Sequence, residues 1–264
     1  MSLYKLFASL SLVAASGSAF ALPIPAYEFN FSGSAVTANT GSQAITMSRS
    51  GPGTVVVNTS NPSASEGKAA VFSNSAIRST AQPNATKGDF TVAFWMKTSS
   101  VGPTGSQWWS GSGLVDAEAA GATSDWGISY LNNRVAFGIG GPDITLQSSR
   151  AVNDDAWHLV SASWQMSTGT MSLYLDGLLN ATTTNTGAKN QMRNGENILA
   201  IGRLATDVNA YYNGSLAHIQ IFDSVLSAAQ ITEIANGSTV PEPSSIALLG
   251  LAGIAGLVAR RRRA

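Results

Sequence analysis

Residues 171–180 read MSLYLDGLLN. Met171, Leu173 and Leu175 fall on alternate positions, the period of a strand with one face buried. Asp176-Gly177 follows at once, a pair that accepts the positive φ angles of a two-residue hairpin turn. The same alternation recurs upstream. In FTVAFWMK (90–97), Phe90, Val92, Phe94 and Met96 share one face while Thr91, Trp95 and Lys97 share the other. In NRVAFGIG (133–140) the shared face is Val135, Phe137 and Ile139, and in WHLVSASW (157–164) it is His158, Val160, Ala162 and Trp164. Turn residues separate these short runs, and neither a long helical pattern nor a repeat of solenoid period interrupts them. The class is therefore all-β, a sandwich of two packed antiparallel sheets.

One segment departs from the strand pattern. In FDSVLSAAQITEIANG (222–237), Ser227 and Gln230 have capping-box spacing, Leu226 and Ile231 are placed as a hydrophobic staple, and Asn236-Gly237 supplies a stop. A closing helix of about two turns is predicted, with Leu226, Ile231 and Ile234 against the sandwich.

Composition removes several chemistries. The chain has no cysteine and only two histidines, so thiol catalysis, disulfides and a multi-histidine metal centre are excluded within one chain. Neither a Gly-x-Ser-x-Gly elbow nor a Walker loop or dinucleotide fingerprint is present. Fifteen Lys and Arg balance fifteen Asp and Glu. Setting aside Lys5, the four terminal arginines and Glu242 leaves ten cations and fourteen carboxylates between the ends, a mildly acidic domain with no expected nucleic-acid partner.

Both ends read as addresses. MSLYKLFASLSLVAASGSAFA (1–21) has an early cation, Lys5, a short apolar stretch, and small residues at Ala19 and Ala21, the pattern of a secretory signal peptide cut after Ala21 by signal peptidase. At the other end Pro241-Glu242-Pro243 breaks regular structure. Residues 244–259 then form an uncharged apolar run, about 24 Å long as a helix against a hydrocarbon layer of about 30 Å. Arg260, Arg261, Arg262 and Arg263 close it and would stay on the cytoplasmic side. The domains expected are 1–21, 22–238 and 239–264.

Five segments, GDFTVAFWMKT, DDAWHLVSASW, LYLDG, LAIGR and YYNGSLAHIQIFDSVLSAAQITEI, occur in an order that resembles the laminin-G-like, concanavalin A-like jelly-roll domains of bacterial surface proteins. The resemblance is strong from Phe90 to Ile234 and weak from Tyr27 to Asp89. It implies a jelly-roll sandwich of the lectin/glucanase kind, with the strand-start Trp157 as a plug and Asp176-Gly177 as a turn. Relatives carry Ile-Asp shortly after an Asn-Gly turn, where this chain has Leu216-Ala217 after Asn213-Gly214. The calcium site of such relatives is not inherited through that position. The combination of Val-Pro-Glu-Pro, a short apolar helix and an arginine cluster resembles the PEP-CTERM sorting signal of Gram-negative bacteria. That resemblance implies recognition by an exosortase, a membrane-anchored intermediate, cleavage near Pro241-Glu242-Pro243, and delivery to the cell surface or extracellular matrix.

The most chemically suggestive stretch is GSGLVDAEAAGATSDWGISY (111–130). Asp116 and Glu118, two apart, would point the same way on a strand, and Asp125 is placed to return beside them across a loop. Three readings stand open. The carboxylates are candidate Ca²⁺ ligands, Asp116 and Glu118 are a candidate hydrolase pair about 5 to 9.5 Å apart, or the stretch is an ordinary solvated loop. The alternating acids of same-fold glucanases have a third member, which Ala120 replaces here. Trp108-Trp109 and Tyr211-Tyr212 lie in loops, as candidate sugar-stacking pairs or with one ring of each pair plugging the sandwich. The two histidines are expected to be satisfied by neighbours. The expected function is a non-catalytic surface or matrix domain binding an exopolysaccharide or a surface protein; the alternative is a polysaccharide hydrolase or lyase of the same fold.

Overall fold

The computed structural model describes residues 21–33, 35–58, 60, 62, 67–121, 123–193, 198–206 and 210–237. The signal segment up to residue 20, including Ala19, and the sorting segment from Pro241 to Arg263 lie outside the described residues. Among the described residues no helix is long and apolar enough to cross a membrane.

The alternating runs become strands of two antiparallel sheets. In the first sheet, β13 (Leu178–Thr184), β12 (Thr170–Leu175), β11 (His158–Gln165), β6 (Phe90–Lys97), β15 (Gly214–Phe222), β4 (Ala69–Ser73) and β3 (Thr54–Asn58) lie side by side, and β1 (Tyr27–Phe29) also pairs with β15. β15 serves two neighbours on one edge: residues 214–217 pair with β4 and 219–221 with β1. The register slips between them, at His218 with its φ of 42°. The second sheet runs β10 (Ile144–Gln147), β9 (Arg134–Ile139), β8 (Trp126–Leu131), β7 (Ser112–Asp116), β14 (Ala200–Ile201), β5 (Ala76–Ser79) and β2 (Met47–Ser50).

The faces fall as their periodicity predicts. Phe90, Val92, Phe94 and Met96 of β6, with Val160, Ala162 and Trp164 of β11, meet Ile128, Val135, Phe137 and Ile139 of the second sheet in one buried cluster. Phe90 bridges the layers, its ring 5.0 Å from that of Trp126 and 6.3 Å, edge-on, from that of Phe137. Asp176 and Gly177, with φ of 53° and 82°, form the turn between β12 and β13.

The outer face of the first sheet is covered as well. The helix α1 (Ala228–Ala235) opens with the capping box, Ser227 Oγ accepting from the Gln230 N–H while the Gln230 side chain accepts from the Ser227 N–H, an arrangement that stabilises a helix start by about 1 kcal/mol. Leu226, Ile231 and Ile234 bury on Ala93, Leu159 and Phe222, and Leu22 joins them. Thr232 Oγ1 donates to the Gly177 carbonyl at 3.2 Å, tying the helix to the hairpin turn.

Candidate functional site

The outer face of the second sheet carries the site, and two glycines shape it. Asp116, Gly127, Gly138 and Thr145 are successive cross-strand partners on β7, β8, β9 and β10. Their neighbours along each strand, such as Val115, Ile128 and Phe137, face the core, so this row faces outward. With no side chains at its centre the row forms a trough, and the indole of Trp108 lies in it. A Cβ on Gly127 would meet Trp108 Cδ1 and Nε1 at 2.7 and 2.8 Å, and one on Gly138 would strike the ring itself.

The 3-10 turn Trp108–Ser110 fixes that indole. The Trp108 N–H donates to Thr145 Oγ1 at 3.1 Å, and that hydroxyl donates to Gln107 Oε1 at 2.6 Å. Ser129 Oγ donates to the Trp108 carbonyl at 2.6 Å. Trp109 stands edge-on to Trp108, centroids 4.5 Å apart and planes at 80°, and remains half-buried.

The carboxylates gather beside the two tryptophans. Asp116 ends β7, and Glu118 lies beyond it in the loop rather than on the strand. Asp116 Oδ1 accepts from the N–H groups of Ala205 at 2.7 Å and Glu118 at 3.1 Å. Asp125, just before β8, accepts at Oδ2 from the Ala119 N–H at 2.8 Å, and its charge reaches Asp116. The turn after β9 brings Asp143. Trp108, Trp109, Glu118, Asp125 and Asp143, with residues 119–121, enclose a cleft of about 430 Å³. Within the range of small-ligand sites, this is room for one or two sugar units.

Electrostatics strain these acids. Burial, then the charges of Glu118 and Asp125, push the Asp116 carboxyl well above the usual carboxylate range, against two backbone donors. Burial raises Asp125, and the charge of Asp143 adds to it. Burial also raises Asp143. All three carboxyls are therefore costly to ionise without a positive partner.

Two of the sequence readings do not fit this geometry. Calcium takes six to eight oxygen ligands. Asp116 Oδ1 and Asp125 Oδ2 already accept backbone N–H bonds, Asp116 has no exposed surface, and among the described residues no group of three His, Asp or Glu is placed to hold a metal ion. The set Asp116, Glu118 and Asp125 thus does not form a calcium cage. As a hydrolase pair, Asp116 and Glu118 are likewise badly placed, since Asp116 is 0% exposed and cannot reach a bound sugar.

The aromatic pairs divide. Tyr212 is a core plug, not a ligand contact: it is fully buried, its hydroxyl donates to the Lys97 carbonyl at 2.9 Å, and its ring is edge-on to Tyr130. Tyr211 is half-buried and packs over Gly51, and neither tyrosine is a wall of the cleft. Trp108 is buried as well, yet it forms the cleft's floor. Asp143 escaped the sequence reading, because a lone Asp after Gly-Pro reads as an ordinary turn. The signal that could have located the site is the outward glycine in each of two consecutive strands, WGISYL and RVAFGI.

Comparisons agree with this architecture. Domain 4 of AbnA, a GH43 extracellular arabinanase from Geobacillus stearothermophilus, solved in complex with arabinotriose, is similar with a TM-score of 0.62 at 16% identity, over 80% of this chain and 98% of that one. The binding domain of the Paraclostridial Mosquitocidal Protein 1 is similar at 0.56 and 12% identity, over 81% of this chain and 52% of that one. The binding domain of botulinum neurotoxin DC in complex with SialylT gives 0.55 and 15%, with the same coverage. The chain thus spans about half the length of those two toxin chains. No curated protein matches the sequence. Residues 239–263 match the PEP-CTERM protein-sorting motif, which implies exosortase processing, export and sorting to the cell envelope. Residues 72–232 match the family described as the concanavalin A-like lectin/glucanases superfamily, Laminin_G_3, and with that match the two-sheet sandwich places the chain in this superfamily.

Proposed function

We propose that the protein is a non-catalytic glycan-binding module displayed on the cell surface or in the extracellular matrix of a Gram-negative bacterium. The observation that supports this most is the cleft on the outer face of the second sheet, where the half-buried Trp109 offers a ring for sugar stacking beside Glu118, Asp125 and Asp143 as hydrogen-bond acceptors. In this reading signal peptidase cuts after Ala21. Leu22, packed under α1, then becomes the first residue of the mature chain. The apolar 244–259 segment holds the exported intermediate at the inner membrane until exosortase cuts near Pro241-Glu242-Pro243.

The test uses the mature protein isolated from the envelope. Intact mass locates both cuts, and a glycan array together with a pulldown from the matrix tests the binding. Saturable glycan binding that Trp109→Ala weakens by about tenfold is expected. Absence of binding to any polysaccharide sinks the reading. Release of product from exopolysaccharide, abolished in Glu118→Gln, would replace it with the enzyme alternative.

A further inference from the structure

We propose that the cleft beside Trp109 recognises a protonated amine carried on a sugar ring, so that its ligand is an amino-sugar polymer rather than a neutral or acidic one. This rests on the glycan-binding reading above and narrows it to one chemical class. Three of the cleft's walls end in carboxylates, Glu118, Asp125 and Asp143, and among the described residues none of the walls is Lys, Arg or His. An acidic sugar entering there meets like charge at every polar wall. A neutral sugar leaves the mutual repulsion of the acids as it was.

The cleft floor holds a second, independent pointer. Trp108 is 1% exposed and its Nε1–H has no acceptor, while Asp116 is 0% exposed and its Oδ2 has no donor. Both atoms lie beside Gly127, where a Cβ would meet each of them. Buried polar groups left in this state are costly and rare. Asp116 also feels the charges of Glu118 and Asp125 from beneath the floor, so a cation held at those two carboxylates relieves it without touching it.

An amino sugar answers both halves of the site, its hydroxyl oxygens being acceptors for an N–H such as that of Trp108, which an ammonium cannot serve. Its ammonium donates charge-assisted hydrogen bonds to the carboxylates, and the axial C–H face of its ring lies on the indole of Trp109, where the nearby positive charge is also favoured. A bare metal ion would satisfy the charge but not the ring, and the carboxylate oxygens are not arranged to cage one.

The decisive measurement is calorimetric titration of the mature envelope protein with a glucosamine tetramer and its fully N-acetylated counterpart. Low salt and about pH 6 keep the amine charged. The amine form should bind about tenfold more tightly or better, the scale of one charge-assisted hydrogen bond, and lose that margin as salt is raised. Asp143 is exposed in the turn before β10, so Asp143→Asn should keep its melting midpoint while weakening the amine form several-fold and the acetylated form clearly less, narrowing the margin between the two. Equal or tighter binding of the acetylated tetramer overturns the inference and leaves the glycan-binding reading standing. So does an amine affinity that Asp143→Asn does not change, or an oligolysine that binds as tightly as the sugar. If no saccharide of either kind binds, and the array is blank as well, the underlying reading falls with it.

Discussion

Asp176 does more than turn the chain. In the left-handed conformation at the β12–β13 turn, its carboxylate accepts from the Leu159 N–H at 3.0 Å, pairs with Arg150, and faces His158 Nδ1 at 3.1 Å. The other ring nitrogen of His158 faces Asp154 Oδ1 at 3.0 Å. A carboxylate at each nitrogen favours the charged form of His158. Its bond to Asp176 raises its pKa, burial opposes, and Asp154 adds to the rise. Burial works against Asp176, but His158, Leu159 and Arg150 hold it below the usual range, and Asp154 is lowered by the Ala156 N–H and by His158. The signs define a window. The His158 contribution is complete below its unfolded pKa of about 6.5 and is lost as pH rises through the higher folded value; those of the aspartates are present above about 3.9 and lost as pH falls through their lower folded values. The contribution of this cluster should therefore be greatest between about pH 4 and 6.5 and fall on both sides. It sits on top of the loss that Asp116, Asp125 and Asp143, raised in the folded state by burial, impose as pH climbs from about 3.9. The difference between the wild-type profile and that of a cluster variant isolates it. Asp176→Asn keeps a residue that tolerates positive φ and an oxygen for the Leu159 N–H while removing the charge. It should lower stability by about 1–2 kcal/mol at neutral pH or below and flatten the alkaline side of the profile. A profile that keeps its alkaline slope in this variant would show that His158 is not its source.

At the scale of elements, the site is made by what two strands omit. An outward strand position usually carries a polar side chain, but Gly127 and Gly138 leave the trough that seats Trp108, and Trp108 in turn sets Trp109 upright. Gly138→Ala should push the indole out, destabilise the fold by about 1–3 kcal/mol as an overpacked site does, and abolish cleft binding with both sheets intact. Circular dichroism and a binding titration on the same sample separate the two effects. The strand alternation, the Asp-Gly hairpin and the capped helix were legible because each is a local pattern whose period is enforced by burial on one side. The cleft was only half legible. Trp109, Glu118 and Asp125 announce themselves by residue type. Asp143, Thr145 and the glycine trough matter only through cross-strand register, which no single segment encodes. For the same reason Asp116 read as a candidate metal ligand or catalytic acid, although its strand register puts it beneath an indole, and Tyr212 read as either a stacking ring or a plug, of which the fold selects the plug.

On the whole molecule, the missing cysteines and the closed faces belong to one design. A domain sent to an oxidising compartment without disulfides depends on its core, and here both sheets are covered on two sides over much of their extent: the sandwich interior, α1 over the first sheet, and the Trp108 turn over the second. The position at which the resemblance places an Asp after the Asn-Gly turn is Ala217 in this chain, buried between β4 and β6. The remaining candidate acids accept backbone N–H bonds, Asp116 from Ala205 and Asp125 from Ala119. These bonds tie the segment after β7 to Ala205 and to Asp125 through backbone donors. A ligand that binds only the folded state raises the melting midpoint by mass action. Millimolar Ca²⁺ or a chelator should accordingly move the midpoint of the mature protein by less than about 1 °C, whereas an oligosaccharide that fills the cleft should raise it by several degrees at about a hundredfold over its Kd. A calcium-dependent rise comparable to the saccharide's would mean that the loop rearranges to free its carboxylates, and would return Glu118 and Asp125 to the role of metal ligands.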